Sequence, residues 1–178
     1  MKFFEADFLY SHSWENVTTA IWKKYPNDKV NHVLKIDTLS HSVDPTTGVL
    51  TVERLLTCKQ KIPYLIQQLL GGNDISYVHE VAVINPKDKT FSANSVNLTF
   101  SNLMTVEESV QYRPDPSRVN STLFKQQAQI TALGGLSKLA GYVEDFSLTR
   151  FQNNAALGRE ALTSVLEKLF ENKDRQYL

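Results

Sequence analysis

The chain has 178 residues, enough for one domain with its own core. Nineteen Lys and Arg balance nineteen Asp and Glu, so no net field draws nucleic acid or an anionic membrane surface. The single cysteine, Cys58, excludes an internal disulfide, and no apolar run approaches the ~20 residues of a membrane span.

The first residues, MKFFEADFLYS, alternate as a strand, with Phe4, Ala6, Phe8 and Tyr10 on one face. They lack the apolar stretch of a secretory signal and the Arg/Ser-rich helix of a transit peptide. Without a signal, the Asn-x-Thr triplets at Asn16, Asn97 and Asn120 read as chance matches. Ser13 is placed to cap a helix from Trp14 to about Lys24, with Val17 and Ile21 one turn apart. Pro26 ends it. A strand over Val30 to Val43 follows, then the turn DPTTG and a return strand from Val49 to about Lys59.

Arg54 to Gly72 reads RLLTCKQKIPYLIQQLLGG: a strand end, then five large aliphatics in nine residues, then two glycines. The segment from Ile62 to Leu70 is apolar on nearly all sides and too short to span a membrane. Further strands are expected over Ile75 to Ile84, Thr90 to Phe100, Thr105 to Tyr112 and Ser121 to Ala132, mostly joined by hairpin-length links. That makes one antiparallel sheet of seven strands. From about Ser137 to Lys173 there is no proline and the apolar period becomes helical. The class is α+β, one domain over 1–178 closed by a long helix.

Projected at about 100° per residue, Leu139, Val143, Phe146, Arg150, Asn154, Leu157 and Ala161 share one sector of that helix. Phe151, Ala155, Leu162, Leu166 and Leu169 widen the arc, while Asp145, Thr149, Gln152, Glu160 and Glu167 lie opposite. Arg150 and Asn154 therefore sit inside a buried stripe, and a buried cation needs a partner. The partner is either a sheet carboxylate, or water reached by snorkelling, or an anionic ligand group held in a cavity. His32 shares a strand face with Val30, Leu34 and Ile36, a position that by itself suits a core histidine as well as a ligand. Lys24 and Tyr25 close the first helix as a capping cation and an anchoring ring.

Signals for catalysis are weak. Cys58 has no matching Cys–His motif, and His12, His32, His41 and His79 are scattered without metal-ligand spacing. There is no Gly-rich phosphate loop and no G-x-S-x-G. Glu107 and Glu108 are adjacent in a strand, so they point to opposite faces. The expectation is binding rather than enzymatic chemistry, with no cofactor and no metal.

Five stretches together resemble the PRELI/slowmo family over nearly the whole chain: S-W-E-x-V, K-K-Y-P-N followed by H-V at His32 and Val33, E-R-L-L-T, Q-Q-A-Q-I-T and V-E-D-F-S-x-x-R-F-x-x-N-A. MKFF, V-T-T-A and L-G-G lean toward the slowmo branch. The resemblance implies a START-like fold, a curved sheet of about seven strands wrapped on the C-terminal helix around a lipid cavity. It implies a non-enzymatic phospholipid carrier of the mitochondrial intermembrane space, bound to a small twin Cys-x9-Cys protein and touching membranes transiently. Slowmo-type members are associated with phosphatidylserine, PRELI-type members with phosphatidic acid for cardiolipin synthesis. Carried over by motif, the head-group residues are Lys24, His32, Lys61, Arg150 and Asn154. The lid is the segment at about 61–73, including Ile62, Leu65, Ile66, Leu69, Leu70, Gly71 and Gly72, for which a short buried core helix is the competing reading. Two departures stand out, since phosphatidic-acid carriers have lysines where this chain has Cys58 and Leu157. Lys59 or Arg159 is a candidate substitute, and fewer cations suit the less charged phosphatidylserine.

Overall fold

The computed structural model describes residues 1–59, 64–69, 74–133 and 139–171, except for the side chains of Leu65, Ile66 and Leu69. Of the expected lid and head-group residues, Lys61, Ile62, Leu70, Gly71 and Gly72 lie outside the described residues, as do both expected ends of the long helix.

The elements are β1 (Lys2–Tyr10), α1 (Trp14–Trp22), a 3-10 turn (Asp28–Val30), β2 (Val33–Val43), β3 (Leu50–Lys59), α2 (Tyr64–Leu69), β4 (Ile75–Asn85), β5 (Thr90–Asn97), β6 (Met104–Pro114), β7 (Thr122–Ala132) and α3 (Ala140–Leu166). A π turn, Glu167–Glu171, continues α3. All neighbouring strands are antiparallel, in the order β1-β7-β6-β5-β4-β3-β2. The first strand thus closes one edge beside the last, while the hairpins β2 to β7 follow in sequence.

Local chemistry sets the corners. The Asn16 N–H donates to Ser13 Oγ at 3.3 Å, capping α1 as its sequence predicts. In the β2–β3 turn, Asp44 Oδ1 accepts from the N–H groups of Thr46 (2.7 Å) and Thr47 (3.0 Å), and Gly48 sits at φ 73°. Asn85 Oδ1 plays the same part between β4 and β5, accepting from the N–H groups of Lys87 and Asp88.

Three expectations change here. Residues 28–30 form a 3-10 turn, so β2 starts at Val33 and His32 precedes it. The cause is Asn27, whose Oδ1 accepts from the Lys29 N–H (3.0 Å) while its Nδ2 donates to Ala161 O (3.4 Å), tying the turn to α3. Leu34, expected on the inward face, is 52% exposed, because the register shifts between Val33 and Lys35. Leu157, expected in the buried stripe, is 37% exposed. The inward face of α3 precesses along the helix, from Val143, Phe146 and Arg150 to Ala155, Gly158 and Arg159, and leaves Leu157 behind.

Side chains pack at both ends of α3. Near its C-terminus, Leu162 and Leu166 join Trp14, Val17, Ala20 and Ile21 of α1 and Ile84, Phe91, Tyr112 and Phe124 of the sheet. Near its N-terminus, Val143 packs with Leu103, Met104, Ala132 and Phe146. Glu144 Oε1 accepts from the Met1 ammonium (2.6 Å) and the Ala132 N–H (2.8 Å), fastening the helix start to β1 and β7.

Leu162 is fully buried, so Leu162→Ala should lower unfolding free energy by about 3 kcal/mol in a denaturant titration. A loss below about 1 kcal/mol would mean that the C-terminal half of α3 is not part of the core. Gly48→Ala should cost about 1 kcal/mol from backbone strain, since the new Cβ would lie 3.7 Å from Pro86 Cγ, an ordinary contact.

Candidate functional site

Between the two packed ends of α3 lies a cavity of about 360 Å³. Its walls come from one face of the sheet, chiefly β3 to β7 with Tyr10 of β1 and Val33 of β2, from Ile21 and the loop after α1, and from α3. Aliphatic and aromatic side chains line much of it, among them Val33, Leu56, Val78, Val106, Val110, Phe100 and Phe151. Its volume lies in the range of small-molecule sites, ~300–1,000 Å³.

Four of the five expected head-group residues, Lys24, His32, Arg150 and Asn154, line this cavity. Lys61 lies outside the described residues. Lys24 follows α1, whose last turn is closed by Lys23 N donating to Ala20 O and Lys24 N to Ile21 O. Its Nζ lies 5.1 Å from the Tyr25 ring centre and approaches α3 where Gly158 leaves space; a Cβ there would come within 3.3 Å of it. Arg150 lies over the Phe146 ring, with Cζ 5.3 Å from its centre. His32 O accepts from the Lys59 N–H at 2.8 Å, which fixes the residue at the mouth of β2 and β3. Burial, followed by the positive charges of Lys24 and Arg150, pulls the His32 imidazole below its ordinary 6.5. The loop after α1 and the middle of α3, far apart in sequence, thus bring the cations Lys24 and Arg150 to one cavity beside His32.

The two departures resolve differently. Cys58 lines the cavity, and burial pushes its thiol up to about 11, so it is neutral and adds no cation. Leu157 is not among the lining residues. Of the proposed substitutes, Lys59 faces outward and pairs with Asp74 at 3.3 Å. Arg159 lines the cavity, and its Nη1 is buried with no hydrogen-bond partner among the described residues.

The inward faces of the sheet are more polar than an alternating aliphatic reading suggests. Arg54 donates from Nε (2.8 Å) and Nη2 to Glu80 Oε1 and stacks on Trp22, Cζ to ring 4.9 Å. Glu108 Oε1 accepts from Gln126 Nε2 at 2.6 Å, and its Oε2 from Ser95 Oγ at 3.2 Å. Burial holds the Glu108 carboxyl above its ordinary 4.5, opposed by the Gln126 and Ser95 hydrogen bonds and the Lys24 charge. Tyr10 and Tyr112 are buried nearby, their phenols pushed up by desolvation. Strand alternation places Glu108 inward and Glu107 outward, as expected, but nothing in the local pattern distinguishes an inward glutamate with partners from an outward one. The partners come from β5 and β7, adjacent strands joined only by the sheet register.

Other polar clusters stay outside the cavity. His79 Nε2 lies 2.6 Å from Glu53 Oε1, whose Oε2 accepts from Ser40 Oγ, a ladder across β2 to β4 whose three residues are absent from the lining. Among the described residues no cluster of His, Cys, Asp and Glu could hold a metal ion, and no helix is long and apolar enough to cross a membrane.

A model of the PRELI-like family matches residues 15–173. The chain is 42% identical to "Protein UPS2, mitochondrial" of Saccharomyces cerevisiae, over 98% of this chain and 76% of that protein. It is 35% identical to "Protein slowmo homolog" of Dictyostelium discoideum, over 90% of this chain and 69% of that protein. Among solved structures, the fold is similar to the Zhui aromatase/cyclase from Streptomyces, with TM-score 0.64 at 10% identity, covering 94% of both chains. It is similar also to a START superfamily protein from Mycobacterium smegmatis, with TM-score 0.54 at 12% identity, covering 94% of this chain and 98% of that one. The fold is START-like, and the chain belongs to the PRELI-like family.

Proposed function

We propose that this protein is a phospholipid carrier, which binds one lipid in the cavity and moves it between the outer and inner mitochondrial membranes without chemical change. The observation that carries the reading is the cavity itself: a largely apolar hollow between sheet and α3 with Lys24, His32, Arg150 and Asn154 lining it. Each methylene exposed to water costs about 0.8 kcal/mol, so a lipid with about thirty of them leaves a bilayer very slowly unaided. An apolar cavity replaces the bilayer for the chains, while cations answer the phosphate. No nucleophile or metal is required for that task.

The mitochondrial name of the yeast relative supports the location, and the family supports the intermembrane space and a small twin Cys-x9-Cys partner. Cargo is phosphatidylserine in preference to phosphatidic acid. Cys58 and Leu157 add no cation; among the described lining residues the further cations are Arg54, which Glu80 answers, and Arg159. Phosphatidic acid as cargo, or lipid binding without transfer, are the outcomes that a transfer assay separates from this reading.

Transfer of labelled phosphatidylserine between liposomes should fall by about two orders of magnitude in Arg150→Glu, with the far-ultraviolet circular dichroism unchanged. Mass spectrometry of lipid recovered after long incubation should return it intact; a hydrolysed or cyclised product would establish an enzyme instead. Faster movement of phosphatidic acid than of phosphatidylserine would overturn the assigned cargo.

His32 supplies a pH test. In the empty protein its folded value lies below 6.5, so protonation destabilises the fold, and stability falls as pH drops through that region. A bound phosphate reverses the neighbouring field and raises the value, so binding takes up a proton. Affinity for phosphatidylserine should therefore rise between about pH 7.5 and about pH 5.5, and His32→Asn should flatten that rise. An unchanged slope in the variant would remove His32 from the head-group site.

A further inference from the structure

We propose that Glu108 and Gln126 form an acceptor subsite in the cavity that takes the ammonium of an aminophospholipid head group. This rests on the carrier reading above and names what in the cavity reads the head group beyond its phosphate.

The geometry is one of surplus acceptors. Gln126 is 5% exposed and lines the cavity from β7. Its Nε2 donates to Glu108 Oε1 at 2.6 Å, yet its Oε1 is buried without a hydrogen-bond partner among the described residues. A buried amide oxygen left bare is unfavourable, and such atoms usually mark a missing donor. Glu108 beside it is a carboxylate with two neutral donors, Gln126 Nε2 and Ser95 Oγ. The nearby carboxylate Glu80 is occupied by Arg54, and the Lys24 charge acts on Glu108 from the loop. What the cluster lacks is a compact cationic donor.

A primary ammonium has three N–H donors and one positive charge. The Gln126 amide keeps its bond to Glu108 Oε1, and one ammonium donates to the bare Gln126 Oε1 and to a lone pair left on the Glu108 carboxylate. The phosphate of the same head group is left to Lys24 and Arg150, which line the same cavity. A head group with phosphate alone gains nothing from this subsite and meets an added negative charge in Glu108. Serine and ethanolamine head groups share the ammonium, so both are tested.

Transfer from donor to acceptor vesicles is measured for phosphatidylserine, N-acetyl-phosphatidylserine, phosphatidylethanolamine and phosphatidic acid. N-acetylation keeps phosphate and carboxylate and removes the charged amine. The full chain should move phosphatidylserine at least about tenfold faster than its N-acetyl form. Glu108→Gln should bring that ratio near one and lower the ratio of phosphatidylserine to phosphatidic acid about tenfold; Gln126→Leu should lower both partway. Movement of phosphatidylethanolamine that depends on Glu108 would widen the cargo to any ammonium; its absence would narrow it to serine.

Fold integrity is read separately. Burial disfavours the Glu108 charge above its ordinary 4.5, so Glu108→Gln should raise the melting temperature at pH 7 while it lowers discrimination. Equal rates for the free and acetylated amine in the unaltered chain would overturn the subsite and leave the carrier reading standing. So would ratios untouched by either variant. Failure to move any phospholipid would sink both.

Discussion

Helix α3 is packed into the core near its C-terminus and fastened to the sheet near its N-terminus; midway, Phe151 meets Phe4 of β1 edge to face (5.3 Å), and the cavity is what remains beside that contact. Leu162 and Leu166 anchor the C-terminal half in the core shared with α1. Val143 and the Glu144 carboxylate anchor the other half to β6, β7 and the chain start. A 27-residue helix is about 40 Å long, more than a small sheet needs to cover one face. Apolar side chains in the middle of α3 would collapse onto the sheet if they could; Arg150 and Asn154 at that height replace them with groups that keep their polar ends away from hydrocarbon. The hollow is thus written into α3 by polar residues on a face that is otherwise apolar.

Placing charges in such a hollow is costly unless they answer one another. Among the described lining residues, four cations (Lys24, Arg54, Arg150, Arg159) face three carboxylates (Asp74, Glu80, Glu108). Arg54 and Glu80 satisfy each other, with Trp22 stacked over the guanidinium. That pair is better read as a wall than as a binding group, since breaking it would strand a buried charge on β3 or β4. Asp74 is taken by Lys59 near the surface. Of the remaining groups, Lys24 lies on α1's trailing loop, Arg150 and Arg159 on α3, and Glu108 on β6. Asn27, bonded to Ala161 O, is the residue that holds that loop in place.

Much of this was legible in the sequence, and the exceptions have physical causes. Alternation and turn-bounded β-rich runs located the seven strands, since most of them bury one face and the period is two. Turn chemistry marked Asp44 and Gly48 correctly, since they make their bonds within a few residues. Arg150 and Asn154 were visible because a polar pair interrupts a helical stripe. Val30 was misassigned to a strand because the bond that makes its segment a 3-10 turn comes from Asn27, and the one that docks it comes from α3, over a hundred residues away. Leu157 falls outside the stripe because a fixed 100° projection assumes one constant contact face, whereas the residues of α3 that face the cavity drift around the helix from Val143 to Arg159. Glu80 and Gln126 are not site candidates in the sequence, and Glu108 enters it only as half of a pair whose side chains point to opposite faces. Their partners lie on other strands, so only register could have joined them.

The register that hid these residues also explains why they can be specific. β-sheet neighbours are fixed by two ladders of backbone hydrogen bonds, so Glu108 meets Ala128 on β7 and Ser95 on β5 at set heights, with Gln126 one inward position along. A group on a lid or loop reads a ligand only as well as the loop holds still; a group on central strands is held within a packed lattice. The cationic residues come instead from a loop and from a helix, elements that can shift by fractions of an ångström to accept a phosphate. The division suits the carrier proposed above: such a protein takes up and releases its cargo many times, so phosphate binding has to be adaptable and reversible. Discrimination between head groups has to survive every cycle, and it is best placed on the part of the fold that moves least.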